Sequence, residues 1–171
     1  MRPSDLVNYS RALKILGIVR SNQGRYQEAV TLYGLSSKKS GLAIDMESEN
    51  GDAWFELAQA VYYLGELEFF AKQYDRSDKK WKYYLLISQK FTTKFPNDAK
   101  WLLEESFALN SLGSSALRQG RADAALRFFQ QSVEMKRRVL GLDPTNLKYR
   151  YEWRDSRSWV ISALEAKGNL P

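Results

Sequence analysis

The chain has 171 residues, of which 44% are hydrophobic and 13% aromatic, and its formal net charge is +6. This composition excludes general disorder and predicts one domain with a sizeable core. The chain has no cysteine and no histidine, which excludes disulfides, thiol nucleophiles and the usual thiolate or imidazole metal sites. The remaining polar residues show no catalytic spacing, so we predict a protein that is not an enzyme and holds no cofactor or metal.

One pattern recurs along the whole chain at a step of 48 residues, the distance between Gly17, Gly65 and Gly113. Leucine precedes each of these glycines, and a small residue and then an aromatic residue follow each at constant distances. An Asn or Asp residue and, in two of the repeats, a proline keep the same step. A fixed period of this size indicates a stacked array of similar units. The small residues are Ala29, Ser77 and Ala125, the aromatic ones Tyr33, Trp81 and Phe129, and the polar markers Asn50, Asp98 and Asn146.

Each unit is predicted to consist of two helices. The polar markers are typical N-cap residues, and short turns at Gly24-Arg25, Lys72-Gln73 and Gly120-Arg121 separate the helices of a pair. Two glycines inside the second helix, Gly34 and Gly41, weaken it by about 1 kcal/mol each, but we expect it to form. The apolar spacing predicts seven helices, over roughly 3–22, 25–46, 51–71, 74–94, 99–119, 122–141 and 147–167.

These elements predict an all-α fold, an α-solenoid of antiparallel helix pairs in a single domain over residues 1–171. The repeats span about 2–49, 50–97 and 98–145, and a terminal helix follows over 146–168. Trp159 and Ile161 on this helix have no following helix to cover them, so we expect a segment of a longer protein. The chain lacks a signal-peptide pattern and a membrane-length apolar run, which predicts a cytoplasmic location.

The order Leu-Gly, small residue, aromatic residue and proline resembles the tetratricopeptide repeat. The distance from the glycine to the small residue, and from the small residue to the aromatic residue, is the same as in that family. The family's usual period of about 34 residues is shorter than the one found here. Each helix is lengthened by almost two turns, which keeps the buried faces in phase. The chain resembles the long-helix variants attached to bacterial multidomain signalling proteins.

The resemblance implies a groove, lined by the first helix of each pair, that binds a protein or an extended peptide. We therefore expect a non-enzymatic scaffold that serves as an interaction or regulatory region. The predicted partner-binding residues occupy the groove-facing positions counted from each Leu-Gly pair. They are Arg11, Lys14, Gln59, Tyr62, Glu66, Phe69, Phe107, Asn110, Ser114 and Asp155.

The charge pattern predicts which partner the groove prefers. The middle leading helices lack Lys and Arg over residues 52–71 and 101–117 but carry several glutamates. We therefore predict a mildly acidic, aromatic groove that prefers apolar or basic segments, with a basic outer face. The basic side chains and the aromatic rings are predicted to lie on different faces of the protein, which disfavours nucleic-acid binding. The glutamates are Glu56, Glu66, Glu68, Glu104 and Glu105, and the outer basic residues include Lys79, Lys80, Lys82, Lys90, Lys94, Arg127, Lys136, Arg137 and Arg138.

Two further interpretations remain open. Glu56, Glu104 and Glu152 recur with the repeat, and we expect them to lie near helix N-termini or to bond to the neighbouring repeat. The terminal helix carries Trp153, Trp159, Val160 and Leu164, and a homodimer formed through this helix is the alternative function.

Overall fold

The computed structural model describes residues 1–168, and all its regular structure in that range is α-helical. Each predicted helix is present, and its ends agree with the prediction to within one residue. The leading helices begin at Pro3, Gly51, Ala99 and Leu147, so successive starts are 48 residues apart. The helices are α1 (Pro3–Asn22), α2 (Tyr26–Met46), α3 (Gly51–Phe70), α4 (Tyr74–Lys94), α5 (Ala99–Arg118), α6 (Ala122–Leu142) and α7 (Leu147–Ala166).

The predicted caps and turns are confirmed. The Asn50 side chain accepts a hydrogen bond from the Ala53 amide at 2.9 Å, and Asp98 and Asn146 cap α5 and α7 in the same way. Gly24, Lys72 and Gly120 have φ values of 74°, 59° and 71°. This left-handed backbone conformation favours glycine, because a Cβ atom makes the conformation costly and glycine has none. Of the three turns, the one at Lys72 therefore has the least favourable backbone energy, because its residue is not glycine.

The helices form two compact units. The first comprises residues 1–84, with α1, α2, α3 and the beginning of α4, and the second starts at Leu85. In the first unit α1 packs on α2, and α3 packs on both of them. In the second unit α5 packs on α6, and α7 packs on both. The helices of a pair are antiparallel, which gives an all-α solenoid of helix pairs as predicted.

A glycine of the leading helix contacts the aromatic ring of the following helix in every pair. A Cβ built on Gly113 would lie 2.5 Å from Cε1 of Phe129, and one on Gly17 would lie 2.6 Å from Cε1 of Tyr33. At Gly65 the ring is Trp81, whose indole N–H also donates to the Tyr62 carbonyl at 3.2 Å. Real Cβ atoms do not approach other atoms this closely. The Leu-Gly marker therefore records a position where only glycine lets the ring lie against the helix backbone.

Paired serines make a second contact between helices, one that was not predicted from the sequence. Ser10 and Ser36 are fully buried, and each hydroxyl donates to the backbone carbonyl of the other residue at 2.9 Å. In the second unit Ser132 donates to the Ser106 carbonyl at the same distance. These hydroxyls are small enough to let the helices approach, and each finds a partner for its buried polar atom.

Charged residues are also buried between helices. Glu56 of α3 is 1% exposed, and its carboxylate lies 2.7 Å from Lys14 Nζ and 2.8 Å from Arg11 Nε, both on α1. In the second unit Lys136 of α6 is 3% exposed and lies 3.0 Å from the carboxylate of Glu152 on α7. The expectation that Glu56 and Glu152 bond to the neighbouring repeat is confirmed. Each pair joins a leading helix to a helix of the repeat before it.

Replacing Gly113 by alanine should destabilise the fold. The new Cβ overlaps the Phe129 ring, and we expect a loss of about 1–3 kcal/mol in the free energy of unfolding. Gly34→Ala is the control, because nothing lies within 4 Å of a Cβ at that exposed position of α2. That variant should gain roughly 0.5–1 kcal/mol from helix propensity. Denaturant melts measure both, and a stabilising Gly113→Ala would contradict the contact.

Removing the Glu56 charge should be far more costly than removing an exposed one. Glu56→Gln leaves Lys14 buried without its partner, and we expect a loss of roughly 3–5 kcal/mol in the free energy of unfolding. Glu134→Gln breaks a surface pair with Arg137, and its effect should be close to zero. Combining Lys14→Met with Glu56→Leu should recover most of the loss. Equal melting temperatures for the two single variants would show that the buried pair does not hold α1 to α3.

Candidate partner-binding site

The structure divides the predicted partner-binding residues between its two units. In the first unit they lie on α1 and α3, and in the second on α5 and α7. Lys14 does not present its charge at the surface, because it is buried against Glu56 and its ammonium also lies 5.5 Å from the centre of the Phe55 ring. Arg11 makes the same ion pair but is 45% exposed along its side chain. Lys14 therefore stabilises the fold, and Arg11 is the one of the two that a partner is able to reach.

The predicted acidic groove rests on fewer carboxylates than the sequence indicated. Glu56, Glu104 and Glu105 are 1%, 6% and 9% exposed, so they are part of the interior. Glu105 accepts a hydrogen bond from the Thr92 hydroxyl at 2.6 Å. Glu68 is partly exposed and pairs with Arg76 at 3.2 Å. The prediction that all five glutamates lie at the surface of the leading helices is therefore wrong. Of the two that remain partly exposed, Glu66 is the one that no lysine or arginine among residues 1–168 neutralises.

Glu66 lies among tyrosine rings on α3. The Tyr62 hydroxyl donates to its carboxylate at 3.4 Å, a long hydrogen bond. The Tyr62 ring meets the rings of Tyr63 and Tyr84 edge to face, at centroid distances of 5.1 and 5.6 Å. Tyr63 in turn stacks on the buried ring of Tyr33 at 5.2 Å. The carboxylate is therefore partly buried beside a tyrosine hydroxyl and not paired with a cationic group of residues 1–168.

This environment changes the proton affinity of two groups. Burial raises the pKa of Glu66 above that of an ordinary glutamate, and the hydrogen bond from Tyr62 offsets part of that change. Burial also raises the pKa of Tyr33, and the nearby Tyr63 and Glu66 raise it further. Burial disfavours the charged form of each group, because the surrounding rings replace water poorly. A cation brought to Glu66 would restore the lost solvation of the carboxylate.

The other predicted residues of α3 have different surroundings. Gln59 is partly buried. Phe69 is also partly buried, and its ring packs against Phe70, Tyr74 and Trp81 at centroid distances between 5.4 and 5.7 Å. These contacts join the end of α3 to the start of α4. Phe69 therefore contributes mainly to packing inside the first unit.

In the second unit Phe107 lies beneath a buried cation. The Lys136 ammonium stands 5.3 Å from the centre of the Phe107 ring, which also packs against Leu102, Leu103 and Val139. Phe107 remains partly exposed, as do Asn110 and Ser114, whereas Asp155 is exposed. The side-chain oxygen of Asn110 is buried and accepts no hydrogen bond from the described residues. These four residues lie on two helices of one unit, and the contacts of Phe107 are with the interior of that unit.

The predicted basic outer face is corrected at one residue. Lys136 was expected there, but it is buried because it pairs with Glu152 and covers the Phe107 ring. The other residues of that set are exposed or partly exposed. The 48-residue period does signal this burial, since the same place in the earlier repeats holds Ser40 and Ser88, which are fully buried.

A cavity of about 510 Å³ in the first unit was not anticipated from the sequence. It lies between the start of α2 and the end of α3, where Tyr26 and Phe70 are 58% and 72% exposed. Its walls are mostly apolar, and Glu68 and Arg76 supply one ion pair. The sequence indicates this cavity only through Tyr26 and Phe70, two aromatic residues next to the turns at Gly24-Arg25 and Lys72-Gln73.

The described part of the chain shows no group of three or more acidic, histidine or cysteine side chains able to hold a metal ion. None of the helices described has the length and apolar character needed to cross a membrane.

Two stretches of the chain match models of the tetratricopeptide repeat, residues 12–39 and residues 108–146. No curated protein matches the chain. One similar solved structure is the first TPR of Spaghetti (RPAP3) bound to the HSP90 peptide SRMEEVD. It is 16% identical in sequence, the alignment covers 90% of this chain and 94% of that one, and the TM-score is 0.41. The chain thus carries a stretch that matches the tetratricopeptide repeat in each of its two units.

Proposed function

We propose that this chain is a non-enzymatic scaffold that binds a protein segment or an extended peptide along its leading helices. The tetratricopeptide repeat matches support this function, since arrays of such repeats present extended surfaces suited to elongated ligands. On its resemblance to long-helix variants, we also propose that the chain is an interaction region of a larger bacterial signalling protein. The 48-residue repeat, the single-domain organisation and a cytoplasmic location belong to the same proposal.

The observation that carries the proposed site is the Tyr62–Glu66 pair on α3. A carboxylate held among tyrosine rings without a cation is unfavourable for the fold alone, because its charged form is poorly solvated. A lysine or arginine side chain of a partner would pair with Glu66 and lie over the Tyr62 ring, which favours cations. A basic or apolar segment is therefore the ligand that this surface fits. Arg11 and Gln59 stand on the same pair of leading helices and would contact the flanking backbone.

The alternative function is a homodimer formed through α7. Two of the four residues proposed for that contact are already used inside the second unit. Trp159 stacks on Phe129 at 5.7 Å, and Val160 packs against the cluster of Ala116 and Ala125. We therefore favour the scaffold over the dimer.

Binding should depend on the charge of Glu66 and on the ring of Tyr62. We expect short synthetic peptides with lysine and leucine to bind at this site, and the same peptides with glutamate in place of lysine not to bind there. Glu66→Gln and Tyr62→Leu should each weaken binding by about tenfold, which corresponds to loss of one charged or cation–π contact. Glu134→Gln is the matched control, since this carboxylate on α6 already pairs with Arg137. Fluorescence anisotropy measures the affinities, and a lysine-peptide affinity that neither Glu66→Gln nor Tyr62→Leu lowers would contradict the site.

The stability of the protein should also depend on pH through Glu66. Because its folded-state pKa is raised, the folded state holds the proton more tightly than the unfolded state does. This contribution is fully present below the ordinary glutamate pKa and is lost as pH rises through the raised value. Glu66→Gln should therefore match the wild type in acid and become the more stable of the two above that window.

Glu134→Gln provides a control of opposite sign. The hydrogen bond from Arg137 lowers the pKa of Glu134, so that ionised group favours folding above its ordinary pKa. Its replacement should remove a little stability at neutral pH and none in acid. Urea melts over a pH series measure both variants, and a Glu66→Gln difference that does not change with pH would refute the assigned pKa shift.

A further inference from the structure

The leading helices receive the following helix on one particular face. In α5 this face consists of Leu102, Ser106, Leu109 and Gly113, all of them buried. Leu102 clusters with a valine of α6, the Ser106 carbonyl accepts from a serine of α6, and Gly113 meets the aromatic ring of α6. The same four places in α1 and α3 also hold apolar or small residues. We call these four places the docking face of a leading helix.

The docking face of α7 has a different chemistry. Its four residues, each 48 positions after its counterpart in α5, are Arg150, Arg154, Arg157 and Ile161. All four are exposed, and Ile161 retains 50% of its surface. The three arginines form a row along the helix, which we call the arginine stripe. Two exposed apolar residues stand beside it, Leu147 at 77% and Tyr151 at 59%.

A helix built like α6 does not fit this face. The aromatic ring of α6 requires a residue without Cβ, and Ile161 occupies that place with a branched side chain. Such a helix would also bury the three guanidinium groups against apolar side chains, and an unpaired buried charge is very costly. A helix that covers the docking face of α7 must therefore supply carboxylates to the arginines and apolar groups to Ile161.

We propose that the docking face of α7 binds an acidic amphipathic helix of a partner protein. Carboxylates on that helix pair with the arginine stripe, whose planar guanidinium groups favour two-point contacts with carboxylates. Leucine-like residues between them cover Ile161, Leu147 and Tyr151. The occupant is a helix because the stripe follows the i, i+4, i+7 spacing at which helices contact one another.

Two contacts hold the arginines close to α7. Arg150 donates from Nε to the Pro144 carbonyl at 2.8 Å, and the Arg157 guanidinium stands 5.1 Å from the Trp153 ring. These contacts leave further N–H groups of both side chains for a ligand, because a guanidinium has five of them. A second copy of this chain is the less suitable partner, since two stripes facing each other would bring like charges together.

The test uses the full chain with Glu66→Gln, which weakens the lysine site proposed on α3, and two synthetic helical peptides of the same leucine pattern. One peptide carries glutamate beside the leucines, and the other carries lysine at the same places. In this background we expect the glutamate peptide to bind, with an affinity that falls as salt rises, and the lysine peptide to bind far more weakly. Adding Arg154→Glu should weaken binding of the glutamate peptide by roughly tenfold or more and strengthen binding of the lysine peptide. Arg127→Glu, a reversal at an exposed residue of α6, should change neither affinity.

Four results would overturn the proposal. They are equal binding of the two peptides, an unchanged affinity in Arg154→Glu, tighter binding of duplex DNA than of the glutamate peptide, and a dimer through α7 that Arg154→Glu abolishes. Circular dichroism melts establish that each variant is folded before it is compared. Ile161→Ser gives an independent measurement, because it removes the apolar contact without a change of charge and should also weaken the glutamate peptide.

Discussion

The helix pairs of this protein depend on the contact between a glycine and an aromatic ring. Tyr33, Trp81 and Phe129 lie so close to their leading helices that any side chain at Gly17, Gly65 or Gly113 would overlap them. Each ring is at most 3% exposed, so the contact buries a large apolar surface in each repeat. The Trp81 ring shows that the contact tolerates a change of aromatic residue as long as the glycine remains.

The glycine–aromatic contact is much the same in every helix pair, whereas the buried ion pairs differ from one helix interface to another. Glu56 with Lys14 and Glu152 with Lys136 are pairs of opposite charge, but the lysine stands on a leading helix in one pair and on a following helix in the other. A wrong pairing of helices would leave a buried carboxylate or ammonium without its partner, which is strongly unfavourable. We infer that these pairs contribute to the choice of neighbouring helix. Exchanging them between repeats would test this inference by its effect on the folded structure.

The sequence predicted the helices well because their signals are local. Caps such as Asn50 and the turn at Gly120 act within a few residues, and the period then transfers each assignment to the next repeat. The ion pairs of Lys14 and Lys136 were not predictable in the same way. Tyr62 occupies the place of Lys14 in the next repeat, and Ser40 and Ser88 occupy that of Lys136 in the earlier ones. Each lysine pairs with one carboxylate on another helix.

The candidate site was predictable only in part. Tyr62 and Glu66 followed from their distance to Gly65, but the raised pKa of Glu66 depends on burial among neighbouring rings, and Tyr33 lies on a different helix. The docking face of α7 was visible in the sequence as Arg150, Arg154, Arg157 and Ile161. Its meaning required the structure, because the contacts of α5 with α6 show which residues of a leading helix a following helix covers.

The antiparallel pairing of adjacent helices also bears on how the chain folds. Ser10 and Ser36 are 26 residues apart, as are Ser106 and Ser132, and the glycine–aromatic contacts span even shorter stretches. Closing such short loops costs little chain entropy, and proteins rich in local contacts reach the folded state quickly. Each helix pair carries its own contacts of this kind, so folding has a starting point in either unit and extends from one helix to the next.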